Sequence, residues 1–291
     1  MESFKNTALT VIGGVGYDSL SEDGAARSEI KTPYGTVSVS AFSKDGSDIV
    51  FISRHQGKQH VPPHKINFLA LVDAARQIGA PVLSVNSVGL MRSVPLTGNF
   101  ETKDRLKDKP AVSPENFLDF PFFVPTDFVD LTKNRISTFH DEDTVHVDMT
   151  DPYCVYIRSL LYGILKDRSV SYSEGVYLCT EGPRFETKAE IQMFAHYADV
   201  VGMTGIPEVV LAKEAGLCYA SFCTITNPAT SLSGNMVTAD EVTAAVEKNQ
   251  KTVFEIIFAL ASVLSDCRNH PDQNKCHKNC RCQNAVVGGK L

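Results

Sequence analysis

Four side chains of this protein have types and settings suited to hydrogen-bonding a small polar or anionic ligand. Arg54 and His55 stand together in Ser-Arg-His-Gln-Gly-Lys-Gln-His. Arginine presents a planar fork of N–H donors that matches phosphate oxygens. With Lys58 close by, the pair also fits a plain surface basic cluster. Glu186 lies in Glu-Gly-Pro-Arg-Phe-Glu-Thr, and an ionised carboxylate only accepts hydrogen bonds. Asn227, in Thr-Ile-Thr-Asn-Pro, offers a donor and an acceptor from one planar amide. Their ordinary alternatives are a helix-start carboxylate favoured by the dipole and a turn residue before proline.

The elements around these residues point to one architecture. Three apolar runs, at residues 176–179, 200–203 and 218–225, are separated by two helical stretches. Thr187-Lys188-Ala189-Glu190 has capping-box spacing, so a helix begins near Lys188. Pro207 suits a helix first turn and Gly216 its end. Strand, helix, strand, helix, strand implies a covered α/β sheet. The polar loops at residues 181–187, Thr204 and Thr226-Asn227 then leave the same strand ends, where ligands bind in such sheets. Further strands are expected at residues 8–12, which run into Gly13-Gly14-Val15-Gly16, and at 36–43, 49–53 and 82–85. Helices are expected at 65–78, at 152–165 capped by Asp151, and from Thr238 to about Leu264. Gly-Gly-Val-Gly lacks the third glycine of a dinucleotide fingerprint and is weak evidence by itself.

Composition narrows the classes. The 291 residues suffice for one large α/β domain, and 43% hydrophobic with 21% charged residues is ordinary for a globular protein. A net charge of -6 argues against a nucleic-acid backbone binder. No apolar run approaches the ~18 residues of a membrane span, and the N-terminus does not read as a signal peptide, so a cytoplasmic address is expected. Cys154, Cys179, Cys218 and Cys223 sit singly in apolar segments, as small buried thiols do. Cys267, Cys276, Cys280 and Cys282 crowd with His270 and His277 into a polar tail that fits zinc binding, disulfides or a loose end. We expect one domain over residues 1–265, with an insertion at about 101–123, and a Cys-rich tail over 266–291.

Glu-Gly-Pro-Arg-Phe-Glu-Thr, the segment Gly202–Ser221 and the Thr-Asn after it resemble the core motifs of the trimeric purine nucleoside phosphorylases, methylthioadenosine phosphorylases included. Ser-Arg-His-Gln-Gly-Lys-Gln-His, Asn-Ser-Val-Gly-Leu and Asp-Pro-Tyr-Cys extend the resemblance over roughly residues 7–265. It implies a single-domain α/β fold with a central mixed, partly barrel-like sheet flanked by helices. It also implies an enzyme that uses inorganic phosphate as co-substrate, needs no cofactor or metal, and assembles as a homotrimer or dimer of trimers. By the same resemblance, Arg54, His55, Val15, Ser87 and Thr204 surround phosphate, with the backbone at Gly14. Asn86, Met203 and Thr204 lie by the sugar and Phe185 packs on purine or ribose. The Cys-x-Cys at 280–282 resembles a pair that forms a disulfide in some archaeal relatives.

The base readers of that family decide the substrate. Glu186 and Asn227 match the residues that read hypoxanthine and guanine; an acceptor-only carboxylate suits their N1–H and repels the bare N1 of adenine. The adenine-specific relatives carry aspartates at the Asn227 and Ala229 positions. His146 matches a residue lent to the neighbouring subunit's 5′ pocket, and Ala239 and Val242 are apolar, as where a methylthio group binds. The combination points to 5′-methylthioinosine. A general inosine/guanosine phosphorylase and a methylthioadenosine phosphorylase are the alternatives. Val15 departs from the family's Ser or Thr and removes a hydroxyl from phosphate. That change also fits a nucleoside-binding protein without catalysis, or a hydrolase using water.

Overall fold

The computed structural model describes residues 4–14, 16–17, 20, 25–56, 61–92, 94–97, 111–112, 117–230, 232, 238–269 and 282–289. The first strand, Thr7–Gly13 (β1), is buried along its whole length, as an apolar run covered on both faces must be. Its side chains divide between two cores, Leu9 and Val11 into one and Ile12 into the other. The antiparallel ribbon Ala26–Thr32 (β2), Gly35–Lys44 (β3) and Ser47–Ser53 (β4) follows, and β4 lies parallel to β1. Helix Phe68–Ile78 (α1) starts at Asn67, whose side chain accepts from the Ala70 amide, and stops at Gly79 with φ 77°. That left-handed backbone is where glycine costs least.

The site-bearing half begins with Val82–Leu90 (β5). Val94–Thr97 (β6) and Ala111–Val112 (β7) form a short antiparallel pair, and Phe122–Leu131 (β8) returns to the main sheet. Val145–Val147 (β9) stands apart. Helix Val155–Asp167 (α2) leads to Tyr172–Thr180 (β10), Lys188–Phe194 (α3), Val200–Gly202 (β11), Glu208–Glu214 (α4) and Tyr219–Pro228 (β12). The long helix Ala239–Asn269 (α5) precedes Val286–Gly289 (β13). The main sheet runs β2-β3-β4-β1-β5-β12-β8-β10-β6-β7, and β11 pairs with both β10 and β5. Strands β5, β12, β8, β10 and β11 therefore close on themselves, three pairs parallel and two antiparallel. This is the mixed, partly barrel-like sheet the resemblance implied. Helices α1 and α4 pack over one core, α2 and α5 over the other.

Three expectations are corrected here. Residues 152–154 are not helical: the Cys154 amide donates to the Tyr219 carbonyl at 2.7 Å, which holds this stretch against β12 and delays α2 to Val155. Phe122 and Phe123, inside the expected insertion of 101–123, belong to β8 of the main sheet and are 4% and 0% exposed; residues 101–110 lie outside the described residues. The C-terminus is not wholly a loose end, because β13 pairs antiparallel with β9 and the Asp148 amide donates to the Ala285 carbonyl at 2.8 Å.

Candidate active site

Strands β5, β11 and β12 bring their ends to one cavity of about 400 Å³. Gly14, Arg54, His55, Ser87 and Thr204 line it together with Phe185, Glu186, Met203, Asn227, Ala239 and Val242. Eleven positions scattered over 229 residues of chain thus meet in one cavity. Val15 lies outside the described residues.

The end of the cavity at Arg54 is built on a buried ion pair. Arg54 is 1% exposed; its Nε donates to Glu208 Oε2 at 2.8 Å and its Nη2 to Ser84 Oγ at 2.7 Å and the Ile12 carbonyl at 3.1 Å. Nη1 donates to the Val85 carbonyl at 3.1 Å. Glu208 is wholly buried and also accepts from Ser84 Oγ and the Tyr219 hydroxyl. Burial disfavours the guanidinium charge, but Glu208 more than offsets it and raises the Arg54 pKa above its ordinary value. Most of the guanidinium fork is committed to Glu208 and the sheet, which leaves one Nη1 proton without a partner among these bonds. His55 is held by the Val61 carbonyl, 2.7 Å from Nδ1.

Asn86 does not line the cavity. It is 1% exposed, donates through Nδ2 to Ser84 and Ser221, and accepts the Thr204 hydroxyl at 3.1 Å. Its place is behind Thr204, where it holds that hydroxyl. The Thr204 and Gly205 amides both donate to the Tyr177 hydroxyl, at 3.4 and 3.2 Å. A side-chain carbon at Gly202 would stand 2.3 Å from that hydroxyl, so this loop needs a glycine to come so close.

Glu186 and Asn227 line the same cavity. Glu186, 5% exposed, accepts from Thr180 Oγ1 at 2.7 Å. Burial pushes its pKa up, against the opposing Thr180 hydrogen bond. The expected capping box is present: Thr187 Oγ1 accepts from the Glu190 amide and Glu190 from the Thr187 amide, fixing the backbone directly after Glu186. Asn227 sits inside β12 rather than beyond its end. The β12–β5 register shifts between Ile225 and Asn227, so Thr226 is an extra residue that re-aims the chain. Thr226 Oγ1 donates to Asn227 Oδ1 at 2.8 Å and Asn227 Nδ2 donates to the Pro228 carbonyl at 2.7 Å. The amide plane is thereby fixed, with one donor and one acceptor position still unused.

The sequence is similar to known proteins over nearly all of its length. The Phosphorylase superfamily model matches residues 120–262. The probable S-methyl-5′-thioinosine phosphorylase of Methanosarcina acetivorans is 43% identical over 284 residues, 97% of this chain and 96% of that protein. The 6-oxopurine nucleoside phosphorylase of Pyrococcus furiosus is 31% identical, with 96% and 98% covered. The chain belongs to the purine nucleoside phosphorylase family. It is an enzyme, a pentosyltransferase of the phosphorylase type. A methylthioadenosine phosphorylase structure from an antarctic soil metagenomic library shares the fold, with TM-score 0.77, 24% identity and 97% and 92% of the two chains covered.

Two features of this phosphorylase site escaped the sequence reading. Glu208, the partner of Arg54, stands in Ile-Pro-Glu-Val-Val-Leu, and a lone carboxylate among apolar residues is the signal that marks it. Thr230 and Thr243 line the cavity, which Glu208 does not. Thr230 Oγ1 is buried with no hydrogen-bond partner among the described residues, whereas Thr243 Oγ1 donates to the Ala239 carbonyl at 2.9 Å. His146, on β9, is exposed and lies outside this cavity within one chain.

Proposed function

We propose that this enzyme cleaves a 6-oxopurine nucleoside with inorganic phosphate, and that its preferred substrate is 5′-methylthioinosine, giving hypoxanthine and 5-methylthioribose 1-phosphate. The observation that carries the reading is the pairing of a buried, acceptor-only Glu186 with a doubly anchored Asn227 in one cavity. Phosphate attacks C1′ as the bond to the purine nitrogen breaks and its electrons pass into the ring. The proton that hydrogen phosphate gives up on forming the sugar phosphate passes through solvent to N7 of the purine anion; Asn227 Oδ1 accepts that N7–H and Nδ2 donates to O6, while Glu186 accepts N1–H. Arg54 Nη1, His55, Ser87 and Thr204 hold the dianion. Preorganised donors of this kind act without solvent reorganisation at the moment of reaction.

Ala239 and Val242 make the α5 side of the cavity apolar, which suits a methylthio group and leaves a hydroxyl poorly paired. Thr243 favours a second reading. Its oxygen, after donating to Ala239, retains acceptor capacity for a 5′-hydroxyl, so inosine and guanosine are the competing substrates. The full site is completed in a homotrimer, where His146 reaches the 5′ end of a neighbour's substrate. Phosphate-dependent release of hypoxanthine from methylthioinosine and inosine, compared by kcat/KM, tests the 5′ assignment. Faster cleavage of inosine than of methylthioinosine would assign the general oxopurine activity instead, and release without phosphate would remove phosphorolysis altogether.

A further inference from the structure

Away from the cavity, three thiols from separate segments converge. Cys154 caps α2, Cys218 directly precedes β12, and Cys282 opens the single helical turn ahead of β13. Their Sγ atoms all lie within 4.8 Å of one another, and the residues are 1%, 8% and 2% exposed. Each segment is fixed by its own backbone contacts. The Cys154 amide donates to Tyr219 O, and the Cys218 carbonyl accepts from the Val82 amide at 2.8 Å. The backbone of Cys282 and Gln283 lies over Gly216, where an added side-chain carbon would stand 3.6 Å from Gln283 Cα.

We propose that this cluster is a thiolate metal site for a soft cation of the zinc class, and that it clasps the C-terminal segment to the body. Tetrahedral zinc with bonds of about 2.3 Å sets its sulfurs about 3.8 Å apart, a spacing within the present separation after small side-chain rotations. A disulfide would use two of the three sulfurs; a metal uses all of them. Binding exchanges protons without electron transfer: a divalent ion and three thiols give a tris-thiolate complex of charge -1 and three released protons. Thiolate donors select zinc over magnesium or calcium. The remaining charge has a counterpart close along the chain. Lys213, 4% exposed, donates to the Asp151 carbonyl, three residues before Cys154, and stands five residues before Cys218.

The clasp has a mechanical consequence. Cys282 is followed by buried Ala285 and by β13, whose Gly288 pairs with His146 of β9. Anchoring Cys282 therefore steadies β9. Metal binding does not depend on the substrate assignment, so the two fail separately.

The test uses untagged full-length protein purified in reductant without chelator. Metal analysis should find zinc retained in stoichiometric amount, and cobalt(II) exchanged into the site should give an intense sulfur-to-cobalt charge-transfer band with tetrahedral visible bands. Cys282→Ser should lose both, whereas Cys179→Ser, at a described buried cysteine that is not part of the cluster, should keep them. Chelation should speed amide exchange in β9 and β13 by at least about tenfold. Because the wild-type cobalt spectrum needs no variant, poor folding of Cys282→Ser leaves the test intact. Absence of retained metal and of the cobalt band would overturn the proposal, as would a disulfide between any two of the three cysteines in non-reducing peptide mapping.

Discussion

Glu186 reaches the cavity already bonded to Thr180, in surroundings that disfavour its charge. Glu186→Gln replaces an acceptor with a group that also donates, so kcat/KM for oxopurine nucleosides should fall at least tenfold while that for adenine nucleosides rises. One mismatched buried hydrogen bond, about 1–3 kcal/mol, is enough. The raised pKa sets the pH dependence. As pH falls, Glu186 takes its proton earlier than an ordinary carboxylate, so the acid limb of the oxopurine profile should lie above the usual glutamate range. The sign for stability is the reverse: a carboxyl with raised folded pKa favours the fold below its unfolded pKa and loses that contribution as pH rises through the folded one. Glu186→Gln should therefore not lower Tm at neutral pH, and a clear drop would contradict the assigned shift. Arg54→Ala should behave oppositely, destabilising the fold by roughly 3–5 kcal/mol because it strands a buried Glu208. Chemical denaturation checks this. Unchanged stability would mean that the Arg54–Glu208 pair is not as described. Thr230→Val keeps shape and removes the unpartnered hydroxyl; a substrate-side role predicts lower kcat/KM at unchanged Tm, and identical kinetics would exclude one.

At the scale of elements, the site depends on three local devices: the capping box after Glu186, the extra residue Thr226 in β12, and Tyr177 bridging the amides of residues 204 and 205. Thr187→Ala should cost about 1 kcal/mol and raise KM for the nucleoside, since Glu186 directly precedes the cap; a fall in stability with unchanged KM would show that the cap does not position the base reader. The capping box was legible because its residues are three apart in sequence. The Thr226 bulge was not, because a bulge is a relation between two strands and only the partner's register reveals it. The same reason hid β2, β6, β9 and β13, short or polar strands whose existence rests on pairing with distant segments. Arg54 was found as a phosphate-type arginine, yet its main partner, 154 residues away, could not be inferred from spacing.

For the whole molecule, the ring β5-β12-β8-β10-β11 makes the cavity a product of the closed sheet. It was foreseen only through resemblance, since apolar runs alone do not distinguish an open sheet from a closed one. The proposed trimer belongs at this scale. Sedimentation should give a trimer or a dimer of trimers, and His146→Ala should change discrimination among 5′ substituents more than among bases. A fully active monomer would contradict the shared site.

The most direct test of the account is the ratio of kcat/KM for methylthioinosine to that for methylthioadenosine, measured with and without phosphate. Glu186 and Asn227 predict a phosphate-dependent ratio of at least about ten, the value of a single mismatched buried hydrogen bond. Equal or faster cleavage of methylthioadenosine would contradict the oxopurine reading.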